Sequence, residues 1–135
     1  MAYTLELRVL TPQREICDET VSQVTAQGAL GQFGVLPDHV TFLTALEPGP
    51  LTFRRVAGGA ETLAVKGGYA EVRDNVMTVL ADDALPVERI DEPAARADLE
   101  RAESALADRP FGHPDHERLR REARWAAVRL ELGRG

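Results

Sequence analysis

The residues able to do chemistry in this chain are few. Three histidines, His39, His113 and His116, are the only imidazoles, and Cys17 is the only thiol. The spacing His113-Pro114-Asp115-His116 could clip a metal ion, but it falls in a Pro- and Gly-marked turn with no third ligand nearby in sequence, so solvated turn residues are the simpler reading. A metal enzyme would need His39 to converge with both of them. Cys17 has no basic neighbour to stabilise a thiolate, which predicts an inert thiol; a lone cysteine also fits a reducing compartment. Asp82 and Asp83 close a strand-like segment and read as turn or edge residues, not as an acid–base pair. The glycine run Gly28-Ala29-Leu30-Gly31-Gln32-Phe33-Gly34 lacks the spacing of a phosphate loop, and no helix follows to offer its N–H groups. Its glycines are expected at positive φ in an irregular excursion between strands. The apolar residues there, Leu30, Phe33, Val35 and Leu36, point to a contact patch. No catalytic constellation and no cofactor site emerge.

What must position that loop is an array of short strands. Residues 3–10 alternate, with Leu5, Leu7 and Val9 on one face and Thr4, Glu6 and Arg8 on the other. Further strands are predicted at 21–27, 41–46, 51–56, 62–66, 69–73 and 76–81. They are separated by Glu47-Pro48-Gly49-Pro50, Ala57-Gly58-Gly59-Ala60, Gly67-Gly68 and Asp74-Asn75. This rhythm implies a flattened antiparallel β-sandwich or barrel over residues 1–85.

Residues 86–135 change character. Ala95, Leu99, Ala102 and Leu106 form one stripe of a helix opened by Asp91, Glu92 and Pro93, and Leu119, Ala123, Ala126 and Leu130 repeat the same offsets. Two alanine-striped helices with a short connection should form an antiparallel hairpin. Their charges differ in sign, acidic for the first and basic for the second. A second stripe, Trp125, Val128 and Leu132, needs a cover, either the flank of the β domain or a partner protein.

Composition excludes whole classes. The 135 residues suit one domain with an appendage, and a net charge of −6 argues against nucleic-acid binding. No window approaches the ~20 apolar residues of a membrane span. The start Met-Ala-Tyr-Thr-Leu-Glu shows no export signal, and a cytoplasmic location is expected.

The run Val24-Thr25-Ala26-Gln27-Gly28-Ala29-Leu30-Gly31-Gln32-Phe33-Gly34-Val35-Leu36-Pro37-Asp38-His39, continued by Leu43-Thr44-Ala45-Leu46-Glu47-Pro48-Gly49, resembles the signature stretch of the epsilon subunits of F-type ATP synthase. Gly67-Gly68-Tyr69-Ala70-Glu71-Val72 matches that family's later hairpin. The resemblance implies a ten-stranded sandwich followed by a helical hairpin. It implies a non-catalytic central-stalk subunit that couples proton flow through the c ring to ATP synthesis, peripheral to the cytoplasmic face of a bacterial inner membrane. Leu30, Gly31, Gln32, Phe33, Pro37 and His39 fall where the family meets the gamma subunit and c ring. Arg118, Arg120, Arg121, Arg124 and Arg129 fall on the helix that inhibits ATP hydrolysis by reaching the alpha and beta subunits. Some members bind ATP through an arginine in the first turn of the first helix; here Ala94 and Ala95 follow Ile90-Asp91-Glu92-Pro93, so weak or absent nucleotide binding is expected. The competing reading is a free-standing β-sandwich that binds a small ligand beneath a helical lid.

Overall fold

The computed structural model describes residues 3–133, which fall into two compact units, one ending at Pro86 and one beginning at Val87. The first unit holds nine strands among the described residues, one fewer than the resemblance implied. They are β1 (Leu5–Leu10), β2 (Glu15–Gly28), β3 (Gly31–Val35), β4 (Phe42–Leu46), β5 (Gly49–Arg55), β6 (Ala60–Val65), β7 (Gly68–Arg73), β8 (Val76–Ala81) and β9 (Ala84–Pro86).

Strand β2 organises this unit. It runs for 14 residues, well beyond the predicted 21–27, and a bulge between Val21 and Gln23 bends it. Before the bend it pairs with β1, as in Leu7↔Glu19; after it, β2 pairs with both β3 and β5. The path β1-β8-β7-β4-β2 therefore closes on itself through the β1–β2 pairing, which removes open edges as a barrel does. Polar Asp18, Glu19 and Thr20 in its first half hide the strand from a search for apolar alternation, because Glu19 stands opposite buried Leu7, between Cys17 and Val21 on the same face. One pair departs from the antiparallel expectation: β1 and β8 are parallel, with Leu7 beside Met77 and Val9 beside Val79. That arrangement follows from closure, since β8 reaches β1 through space and not through a hairpin.

The alternation of β1 places Leu5, Leu7 and Val9 in the core with Val24, Phe53, Val72, Met77 and Val79. No polar or charged residue is buried among the described residues, so the interior is held by apolar burial, roughly 1.5–3 kcal/mol for each large side chain. Asp82 and Asp83 lie in the β8–β9 turn as expected: Asp82 N–H donates to Gly67 O, and Asp83 Oδ1 accepts from Ala84 N–H.

The second unit opens with a 3₁₀ turn (Val87–Arg89) and consists of α1 (Glu92–Ala107) and α2 (His116–Gly133). Asp91 caps α1, its Oδ1 accepting the Ala94 N–H at 3.0 Å, and Pro93 occupies the first turn where its missing donor is harmless. Ala95 and Ala102 are buried on α1, and Leu119, Trp125, Ala126, Val128 and Leu130 on α2. Ile90, just before α1, approaches Gly133 at the end of α2, so closely that a Cβ at Gly133 would lie 2.9 Å from Ile90 Cγ2. The helices are thus antiparallel. Leu99 and Leu106 of the predicted stripe are only half-buried, and Trp125 and Val128 of the second stripe are buried more deeply than they are.

Candidate docking surface

The glycine run is not irregular. It forms a β-hairpin in which Val24↔Val35, Thr25↔Gly34, Ala26↔Phe33, Gln27↔Gln32 and Gly28↔Gly31 are paired, leaving Ala29 and Leu30 as the tip. Of its three glycines, only Gly31 has positive φ, at 118°. Gly28 leaves room for a neighbour instead: a Cβ there would lie 3.0 Å from the Phe33 ring. Gly34 simply occupies a strand position opposite Thr25. Two hydrogen bonds tether the hairpin to β4, Ala29 N–H to Ala45 O at 3.1 Å and Glu47 N–H to Gln27 O at 3.0 Å.

The tether sorts the predicted contact residues. Leu30 is fully exposed at the tip and Gln32 is exposed on β3. Phe33 is half-buried and packs edge-on against Phe42, with ring centroids 5.6 Å apart. Val35, expected in the patch, is fully buried in the core. Leu36 and Val40 flank an exposed turn in which His39 N–H donates to Leu36 O at 3.1 Å. Pro37 stands second in that turn and Asp38, with φ of 62°, third, the arrangement of a type II turn with aspartate where glycine is usual. His39 leans on Phe42 with centroids 5.0 Å apart, and its Nδ1 lies 2.9 Å from Val40 O. Phe42 therefore joins the hairpin to the 36–40 turn, and Leu30, Gln32, Pro37 and His39 ride on one supported scaffold.

An apolar outer face was not singled out from sequence. Leu43, Tyr69 and Leu80 are exposed on β4, β7 and β8, where Tyr69 stands opposite both Ala45 and Leu80. The signal was present as large apolar residues on the solvent parity of strands whose other parity is buried. An exposed apolar group of this kind on a sheet face marks an interaction surface.

On α2, Arg118 pairs with Asp115 at 3.8 Å and Arg120 with Glu117 at 3.7 Å, while Arg121 and Arg124 are exposed. Arg129 differs. Its guanidinium crosses to Asp98 of α1 at 3.0 Å and lies 5.1 Å from the Trp125 ring centroid. Its side chain is only 16% exposed, so the hairpin itself occupies it. Arg101 and Arg129 together hold the Asp98 carboxyl below its ordinary range.

Near the start of α1, Arg96 is bound to Glu92 at 3.1 Å, one turn away, in a shallow groove that also presents Glu100. An engaged guanidinium between carboxylates is a poor phosphate ligand. No group of three or more His, Cys, Asp or Glu able to hold a metal occurs among the described residues. His113 Nδ1 accepts the Asp115 N–H, and His116 packs against Phe111. The Cys17 thiol is pushed up to about 12 by burial first and then by the carboxylates of Glu19 and Glu61, which Arg55 pairs. At that value it is inert at neutral pH. No helix of the described residues is long and apolar enough to cross a membrane.

Residues 4–87 match the family model of the ATP synthase delta/epsilon chain β-sandwich domain. The ATP synthase epsilon chain of Geobacter sulfurreducens is 39% identical over 132 residues, covering 98% of this chain and 95% of that one. That of Geobacter metallireducens is 46% identical over 106 residues, covering 78% and 76%. Among solved structures, a chain of the Euglena gracilis mitochondrial ATP synthase (OSCP/F1/c-ring) superposes with a TM-score of 0.83 at 23% identity, covering 100% of this chain and 84% of that one. A chain of the Tetrahymena thermophila enzyme's central stalk and c ring gives 0.63 at 18%, covering 95% of each. The last two show a shared fold. With the family model spanning most of the chain, and with relatives aligned nearly end to end, a free-standing ligand-binding module is set aside: the chain belongs to the family of ATP synthase epsilon chains, non-catalytic subunits of that complex.

Proposed function

We propose that this epsilon subunit docks on the rotor through the β2–β3 hairpin tip and the 36–40 turn, Leu30, Gln32, Pro37 and His39 meeting the c ring and gamma. The observation that carries this reading is a fully exposed leucine on a hairpin anchored by two backbone hydrogen bonds and an aromatic pair. Apolar area held in a fixed conformation binds without a large ordering cost, as a transmitting part requires. Family membership, and the central-stalk and c-ring assemblies that the fold resembles, support the gamma subunit and c ring as partners and the cytoplasmic face of a bacterial inner membrane as location in this reading.

The second unit is the regulatory part of this reading. Exposed Arg121 and Arg124 on α2, with Arg118 and Arg120 once their short-range acidic partners are exchanged, would meet acidic segments of the alpha and beta subunits. Arg129 joins them only when α1 and α2 separate. The buried residues of α1 are the small Ala95 and Ala102, so this helix contributes little apolar area and an alternative pose lies within reach of a partner's binding energy. The test is reconstitution with the other F1 subunits and c ring. Crosslinkers at Gln32→Cys should trap gamma or c, and a chain ending before residue 90 should leave the complex assembled with faster ATP hydrolysis. Failure of Gln32→Cys to crosslink either subunit refutes the docking assignment.

A further inference from the structure

One half-buried side chain links three separate segments beside the docking turn. Asp74 and Asn75 form the β7–β8 turn with φ of 52° and 64°, the geometry of a type I′ hairpin, for which Asp-Gly would serve as well as Asp-Asn. The side chain of Asn75 does more than the turn requires. Its Nδ2 donates to Thr4 O at 2.6 Å, ahead of β1, and its Oδ1 accepts the Asp38 N–H at 2.9 Å, in the centre of the 36–40 turn. Its own carbonyl accepts the Glu6 N–H at 3.2 Å. The two partners fix the amide orientation, because a carbonyl can only accept and an N–H can only donate. Among residue types that tolerate left-handed φ, glycine lacks both groups, and an ionised aspartate offers no donor to Thr4 O.

Asp38 needs such a support. It holds a left-handed φ without being glycine, a conformation that persists where surroundings impose it. The Asn75 amide is a bond from outside the turn that grips its central N–H, so it sets the angle at which Pro37 and His39 stand to the sheet.

We propose that Asn75 is the positioning residue of the docking turn, holding Pro37, Asp38 and His39 in the conformation that the partner subunits meet. This rests on the docking reading given above. The test uses the full chain with Asn75→Gly, which keeps the I′ turn, and Asn75→Asp, which keeps the acceptor for Asp38 alone. Amide exchange at Asp38 should rise about tenfold in Asn75→Gly, the loss of one hydrogen bond, while amides of β7 and β8 keep their protection. In Asn75→Asp the Asp38 amide should stay closer to the parent. Affinity for a gamma–c ring subcomplex should fall about tenfold in Asn75→Gly, with Leu30→Asp as the reference for a lost docking contact. Unchanged exchange at Asp38 overturns the proposal and reduces Asn75 to a turn former. Faster exchange with undiminished affinity, when Leu30→Asp does weaken binding, also overturns it but leaves the docking reading standing. If Leu30→Asp binds like the parent, the docking reading fails and the proposal fails with it.

Discussion

The Asp98–Arg129 pair should be the strongest single polar bond between the two helices, and its strength can be worked from its surroundings. At an effective dielectric near 20, two unit charges about 4 Å apart attract by roughly 4 kcal/mol. Asp98 is 40% exposed and shared with Arg101, so water, salt and lost side-chain freedom cancel most of that. Arg129 is only 16% exposed, which places the pair at the upper end of the surface range, about 1 kcal/mol of coupling. Truncating Arg129 to alanine also removes its stem and charge from the Trp125 ring, adding about 1 kcal/mol, whereas Arg129→Met keeps most of the stem. The double-mutant cycle of Asp98→Ala with Arg129→Met should therefore give about 1 kcal/mol, read by urea unfolding. Trp125 is the sole tryptophan and lies on α2 beside Arg129, so its fluorescence reports this hairpin specifically. The pH dependence follows from the sign of the shift. Because the folded carboxyl titrates below its ordinary 3.8, the contribution is complete above that value and is lost as pH falls through the lowered one. A coupling below about 0.3 kcal/mol at neutral pH, or one that strengthens as acid protonates the carboxyl, would refute the account.

Four further outcomes are expected. Gly68→Ala should be among the most damaging substitutions: φ is 126° and a Cβ would sit 2.0 Å from Leu80 O, so the urea midpoint should drop by the equivalent of 3 kcal/mol or more, roughly the strain of a disallowed φ plus displacement of β8. With its thiol raised from 9.0 to about 12, Cys17 in the folded chain should react with a thiol reagent at pH 8 about a thousandfold more slowly than in urea. Leu30→Asp should leave stability within ~0.5 kcal/mol, since the side chain is fully exposed, while lowering co-purification with gamma and c ring. Isothermal titration with Mg-ATP should give no micromolar constant, because Arg96 is held by Glu92 and Ala94 offers no guanidinium.

Much of the fold was legible because its signals are local. The β1 alternation, the Asp91-Glu92-Pro93 opening of α1 and the paired alanine stripes each state a periodicity or a terminus within a few residues. The first half of β2 was not legible, since Asp18, Glu19 and Thr20 break the apolar pattern and their strand character comes from β1, which pairs with them. The β2–β3 hairpin was misread for a related reason: Gly28 and Gly34 suggested freedom of φ, whereas one makes room for Phe33 and the other pairs with Thr25. Of the residues proposed to dock, exposure at Leu30 could be expected from its place between glycines. That Phe33 and His39 would both lean on Phe42 could not, because it depends on how the chain folds back after the 36–40 turn to set Leu46 of β4 opposite Gly28 of β2. The Asn75 bridge joins positions 37 and 71 apart in sequence and leaves no local trace at all.

The length of β2 has a mechanical consequence. Its far end carries the exposed tip, and its near end is laced to β1 over Val21 to Glu15, with β5 gripping the middle. A pull on Leu30 along the strand direction strains these rungs side by side, so many must yield together before the strand slips. A pull across the strand would peel them one after another at far smaller force. The subunit should resist a pull along β2 at the hairpin much better than one across it, a directional stiffness that single-molecule pulling from position 30 against two different anchor points would measure.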